Sequence, residues 1–275
     1  MCADAPDRSA WIAALPATIA DLQRRWQLVL ERPFSESRCA WVAPAGCADG
    51  AAAVLKIAMP HMEGEQEIEG LRFWNGTPTV RVLASDDRVG AMLLERCEPG
   101  TSLRTVAAGT QDVVIAGLLR RLWQSPGPSH RFRPLSTMVE YWSDETLTQR
   151  ARWTDDALVR EGLSIFRDMA TPAETDVVLA TDLHAGNVLR AQREPWLVID
   201  PKPFVGDPAY DTTQHLLNCR DRLGADPFAL IQRISELAGV NGTRVRRWLF
   251  ARAAAEPRAD WDEPWRLTLA RRLGS

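Results

Sequence analysis

Two carboxylates and a carboxamide stand close together in the second half of the chain. Asp182 is followed five residues later by Asn187 and thirteen residues after that by Asp200. Asp200 closes an apolar run, Trp196-Leu197-Val198-Ile199, and another, Val177-Val178-Leu179, precedes Asp182. A loop thus offers the first two groups and a strand end the third. The set suits phosphoryl transfer. One carboxylate accepts or orients the proton of an attacking hydroxyl, while a carboxamide and a second carboxylate hold Mg²⁺ against phosphates. All the ligand atoms are hard oxygens, which Mg²⁺ takes. A lone Asp in a loop is ordinarily a turn or cap residue. Three such groups between two apolar strands indicate a nucleotide–metal site.

Lys56 lies in a third apolar run, Val54-Leu55-Lys56-Ile57. Of the 33 basic residues only two are lysines, Lys56 and Lys202. Composition bias accounts for that shortage, but it draws attention to any lysine that remains. A strand lysine ahead of an acidic stretch (Glu63, Glu65, Glu67, Glu69) reads as a phosphate contact paired to a glutamate. A compact ammonium suits that task better than a guanidinium. Lys202 reads as an exposed loop residue, His184 as structural, and Asp207 before Pro208 as a helix N-cap.

The stretch Ala180-Thr181-Asp182-Leu183-His184-Ala185-Gly186-Asn187-Val188-Leu189, with Ile199-Asp200-Pro201, resembles the catalytic and metal-binding loops of the protein-kinase-like superfamily, in particular its antibiotic-phosphotransferase branch. Further pieces resemble the aminoglycoside/hydroxyurea kinase family and within it the streptomycin 6-phosphotransferases. They are Trp11 to Pro16, Val54-Leu55-Lys56, Gly70 to Trp74, Met92 to Arg96, Arg193 to Leu197 and Val205 to Asp211. The resemblance runs over roughly residues 10–220. It implies Asp182 as catalytic base and Asn187 and Asp200 as Mg²⁺ ligands. It implies Lys56 on the α- and β-phosphates, paired with Glu67 as first choice or Glu63 as second. Glu95 to Cys97 would be a hinge whose backbone bonds the adenine, with Cys97 a small residue there and not a reactive thiol. Ser35 and Ser37 would serve the phosphates, and Asp211 would tie down the catalytic loop. Two features depart from the pattern. Ala180 stands where relatives carry a loop-bracing His, and Phe34-Ser35-Glu36-Ser37 has no glycine.

A polycationic acceptor needs carboxylates. The candidates are Asp144 and Glu145, and the later group Glu256, Asp260, Asp262 and Glu263, each equally readable as solvated surface. The stretch from Ala253 to Pro257 resembles the streptomycin kinases less than the rest.

The elements follow from periodicity. Helices are expected over 10–26, 63–74, 107–123, 136–152, 155–169, 212–223, 227–239 and 244–255. Strands are expected at 51–58, 80–83, 91–94, 177–179 and 196–199, with two short ones within 29–43 around a polar turn. The expected fold is α+β and bilobal, like the protein kinases. A small antiparallel-sheet lobe (1–97) precedes a larger, mainly helical one (98–275), with the nucleotide in the cleft between them. At 275 residues and 45% hydrophobic the chain can bury a large core. Its net charge of −3 leaves no footprint for nucleic acid. No apolar run is long enough to span a membrane, and the first eight residues lack the pattern of a signal peptide. Five scattered cysteines indicate neither a zinc site nor a disulfide framework, and fit a reducing cytoplasm. The expectation is an ATP- and Mg²⁺-dependent O-phosphotransferase for an aminoglycoside-like small molecule, with no obligate protein partner. The alternatives are a kinase of another hydroxylated metabolite or drug, and a nucleotide-binding pseudokinase, which Ala180 motivates.

Overall fold

The computed structural model describes residues 8–35, 37, 39–261 and 264–274; Glu36, Arg38, Asp262, Glu263 and Ser275, and the chain before Arg8, lie outside the described residues. Two compact units divide the chain: residues 1–102 with 188–202, and 103–187 with 203–275.

In the first unit the period-two rule of strands sorts side chains onto two faces. From β3 (Ala52–Ala58), Ala53, Leu55 and Ile57 enter one core cluster with Leu22, Ala91 and Leu93. Val54 enters another with Leu71, Met92 and Leu94. Lys56 therefore shares the side of Val54. β1 (Val29–Leu30), β2 (Ala40–Gly46), β4 (Val82–Asp86) and β5 (Ala91–Glu95) complete an antiparallel sheet of order β1-β2-β3-β5-β4. Helix α1 (Arg8–Trp26) covers the first face with Leu15, Ile19, Leu22 and Trp26, spaced three and four apart. Helix α2 (Glu67–Trp74) covers the second with Ile68 and Leu71. The helix expected over 63–74 is broken. A 3₁₀ turn, Met62–Gly64, comes first, and Gly64 lies so close to the His61 ring that an added Cβ would stand 2.4 Å from it.

The second unit holds α3 (Ala108–Leu122), α4 (Leu135–Thr148), α5 (Asp156–Met169) and β6 (Val177–Leu179). The chain then returns to the first unit as a hairpin, β7 (Val188–Arg190) and β8 (Trp196–Val198). Val80 N–H donates to Val198 O, and Val198 N–H to Pro78 O, both at 3.0 Å. Arg193 clamps the hairpin, with two donors on Glu95 (2.9 and 2.8 Å) and two on the carbonyls of Gly76 (2.6 Å) and Thr79 (3.0 Å). β9 (Phe204–Gly206) pairs with β6. Helices α6 (Pro208–Asn218), α7 (Arg220–Ala225), α8 (Pro227–Ala238), α9 (Gly242–Ala255) and α10 (Pro264–Gly274) follow. Asp207 caps α6 by accepting from Ala209 N–H at 2.9 Å. The helix expected over 212–223 is two helices that part at Cys219, and α10 was not expected. β7 and β9, three residues each, were too short to show a period.

Aromatic rings meet edge-on or tilted through this unit: Trp142 with Phe166 (6.4 Å), Phe166 with Trp248 (6.2 Å) and Trp248 with Tyr210 (5.0 Å). Gly162 lets α5 approach α9, since a Cβ there would meet the Cβ of Ala254 at 2.7 Å. Asp112, fully buried on α3, gathers three further helices. It accepts from Arg222 of α7 (3.0 and 2.7 Å) and Arg233 of α8 (2.8 Å), and pairs with His215 Nε2 of α6 at 3.0 Å. Cys219 Sγ lies 3.7 Å from the same ring nitrogen. Two guanidiniums occupy the Asp112 carboxylate, so the Asp112–His215–Cys219 group serves packing. Cys39 is disulfide-bonded, which the odd, scattered cysteine count did not indicate. Among the described residues no helix is long and apolar enough to cross a membrane.

Burial opposes charge on His215, but the bond to Asp112, with Cys219 beside it, pushes the imidazole up from 6.5 to about 9. An imidazolium held by the fold stabilises it fully below pH 6.5 and loses that contribution as the pH rises through 9. The unfolding free energy of the wild type should therefore fall by up to about 3 kcal/mol across this window. His215→Gln should lack that slope. Parallel urea-unfolding profiles for the two proteins would contradict the assignment.

Candidate active site

In the first unit, sheet parity turns Lys56 toward α2, and Glu67 in the first turn of α2 meets it. Lys56 Nζ donates to both Glu67 oxygens, at 2.6 and 2.7 Å. Glu67 is buried, whereas Glu63 lies in the preceding 3₁₀ turn. Lys56 Nζ also donates to Asp200 Oδ1 at 2.5 Å. Burial works against the Lys56 charge, but Asp200 and Glu67 overcome it and raise the ammonium above its ordinary range. Asp200 follows β8 with φ +56°, a left-handed conformation costing a non-glycine residue about 1–3 kcal/mol. Burial would keep its carboxyl neutral, yet Lys56 and Lys202 pull it well below the carboxylate range.

Lys202 is not the exposed loop residue that its flanking prolines suggest. It is 8% exposed, donates to the same Asp200 Oδ1, and lies 3.9 Å from Glu67. The two lysines of the chain converge on one carboxylate. Two ammonium groups already offset the charge of Asp200, whose carboxylate oxygens are of the hard kind that a divalent cation takes.

In the second unit the loop after β6 carries Asp182 and Asn187. Asn187 Nδ2 donates to Asp182 O at 3.0 Å and to Asp182 Oδ2 at 3.3 Å, so its amide oxygen is the atom it can offer to a cation. Gln214 Nε2 on α6 donates to Asp182 Oδ1 at 2.6 Å. His184 Nε2 stands 3.9 Å from the same oxygen, while its Nδ1 accepts from Gly186 N–H at 2.9 Å. Ala180 is fully buried, and the loop is braced without a histidine there. Asp211 Oδ2 accepts from Ala180 N–H and from Trp123 Nε1, both at 3.0 Å. Burial pushes the Asp211 carboxyl up to about 6 against these bonds. Thr181, with φ +45°, completes the turn that presents Asp182.

The other candidates separate. Ser35 and Ser37 are exposed between β1 and β2. The Glu95 side chain is taken by Arg193 and by Arg81 N–H, and its own N–H donates to Arg81 O. Burial, then the Glu95 charge, pushes the Cys97 thiol up to about 11, so it stays protonated. Asp144 and Asp260 are exposed. Glu256 is instead 8% exposed, with Arg252 and Arg266 on its oxygens, and is held at about 2 despite burial. It has no surface to offer a polycation. Gln214 was missed. Its signal was the i,i+3 spacing from Asp211, which puts both on one side of a helix facing the loop.

The fold is shared with solved phosphotransferases. A solved macrolide 2'-phosphotransferase from Brachybacterium faecium superposes with a TM-score of 0.59 at 17% identity, over 93% of this chain and 97% of that one. Residues 25–263 match the model of the aminoglycoside/hydroxyurea antibiotic resistance kinase family, and the chain belongs to that family. A streptomycin 6-kinase of Streptomyces glaucescens is 35% identical over 96% of this chain and 91% of its own length. A hydroxyurea phosphotransferase of Kitasatospora aureofaciens is 33% identical over 88% of this chain and 72% of its own.

Two ammonium groups on one carboxylate should buffer one another's loss. Lys56→Met and Lys202→Met should each cost less stability alone than together. The double variant should exceed the sum by about 0.5–3 kcal/mol. Additive losses in urea unfolding would show that the lysines act independently.

Proposed function

We propose that the protein is an ATP- and Mg²⁺-dependent O-phosphotransferase that inactivates a streptomycin-like aminoglycoside in the cytoplasm, where ATP is available. The observation that supports this reading is the pairing of Asp182 with Asn187 on one loop, alongside a Lys56–Glu67–Asp200 set with matching chemistry. Asp182 takes the proton of the acceptor hydroxyl as that oxygen bonds the γ-phosphorus and the bond to ADP breaks. Asn187 and Asp200 would each offer an oxygen to the cation, and Lys56, fixed by Glu67, would bind phosphate oxygens. Ser35 and Ser37 serve the phosphates, and the 95–97 backbone serves the adenine. Bound Mg·ATP supplies the phosphoryl group, and its cation offsets the charge that builds on the phosphates. Lobe boundaries at 1–97 and 98–275 remain part of the proposal. The pseudokinase reading loses its motivation, because Asp211 and Trp123 brace the loop that Ala180 was expected to loosen.

Asp182→Ala should lower turnover by about 10²–10⁴-fold while leaving Mg·ATP affinity near wild type. Near-normal turnover would remove Asp182 from the chemistry. Expression in a sensitive bacterium should protect growth against streptomycin and not against aminoglycosides of other skeletons. Protection against hydroxyurea alone would reassign the acceptor.

A further inference from the structure

Asp182 is held at both oxygens, and the stronger hold comes from Gln214 at 2.6 Å. A glutamine amide can present either its NH₂ or its carbonyl to a neighbour, so something must decide its direction. Arg252 does so. Its Nη2 donates to Gln214 Oε1 at 2.7 Å, and a guanidinium has only donors. The reversed amide would set NH₂ against guanidinium and carbonyl against carboxylate, so the direction seen is the only one that satisfies both.

Arg252 is itself immobilised. It is 2% exposed and donates to Thr213 Oγ1 at 2.9 Å and to Glu256 at 3.1 and 3.2 Å. The rings of Tyr210 and Trp142 lie 5.1 and 5.8 Å from its guanidinium carbon. Arg266 of α10 donates to Glu256 at 3.0 Å and closes the chain. We propose that Gln214 is a positioning residue for Asp182, and that the buried Arg252–Glu256–Arg266 chain fixes the direction of its amide. The proposal rests on the reading of Asp182 as proton acceptor. It gives Glu256 a place behind the reacting carboxylate, not at the acceptor surface.

Two isosteric replacements separate positioning from packing. Gln214→Met fills the space without polar contacts. Gln214→Glu keeps an acceptor for Arg252, and so should fold at least as stably as Met, but it turns a like charge toward Asp182. With Mg·ATP and streptomycin, kcat should fall about 10–100-fold for Met and further for Glu, with both KM values within about twofold of wild type. The order of activity should thus run opposite to the order of melting temperature, which a purely structural role does not produce. Arg252→Lys, which keeps the charge but loses the fixed fork, should lower kcat in the same direction with KM unchanged. Asp182→Asn is measured alongside. If it turns over normally, the base reading fails. If it is inactive while both Gln214 variants match wild type, or if activity simply tracks melting temperature, the positioning proposal is overturned.

Discussion

Arg252 carries a full positive charge to a place with almost no access to water, and much of the second unit is arranged around that fact. An unpaired buried ion costs several kcal/mol, and removing one partner of a buried pair costs about 3–5 kcal/mol. The cost is offset here by Glu256, the residue that follows α9, by Thr213 and Gln214 of α6, and by two aromatic rings. Glu256 in turn needs Arg266. One desolvated guanidinium thus links α6, α9 and α10 and turns Gln214 toward Asp182. Asp112 plays the same part for α3, α6, α7 and α8, with two arginines and His215 around one carboxylate.

The first unit follows the same logic with smaller groups. Lys56 and Lys202 face Glu67 and Asp200, two charges of each sign in a largely buried cluster. Within this set the charges balance, so a cation that takes Asp200 must compete with two ammonium groups. Asp200 and Thr181 are two of the four described non-glycine residues with left-handed backbone, and each holds it at some conformational cost. In the second unit that cost is met by Asp211, whose buried carboxylate holds the chain just before Thr181 and anchors it to Trp123.

Much of this was legible in the sequence because it is local or periodic. Lys56 stands in an apolar strand run ahead of an acidic stretch, and Glu67 was the first choice among the partners that the resemblance implied. The Asp182–Asn187 spacing is that of one short loop, and Asp207-Pro208 marks a helix start by chemistry alone. What escaped depends on contacts distant in the chain. Lys202, between two prolines, resembles a solvated loop until the fold brings Glu67 beside it. Arg252 and Glu256 have the spacing of an ordinary i,i+4 pair, and only their contacts with α4, α6 and the unforeseen α10 show them to be structural. Glu95 was read for its backbone, yet its side chain anchors Arg193, which lies 98 residues away. Ala180 was read as a loss because part of the brace that replaces the histidine comes from Trp123, just past the end of α3.

Each unit thus holds one prepared set: Asp182 with Asn187 and Gln214 in the second, and Lys56, Glu67, Asp200 and Lys202 in the first. The central claim is the transfer of a phosphoryl group to a hydroxyl of a small molecule. Phosphorus-31 NMR of the protein with Mg·ATP and streptomycin reads that bond directly. A phosphomonoester resonance coupled to a sugar or cyclitol proton should grow as the γ-phosphate signal of ATP declines and ADP appears. Inorganic phosphate as the sole new species, or an unchanged ATP spectrum, would contradict it.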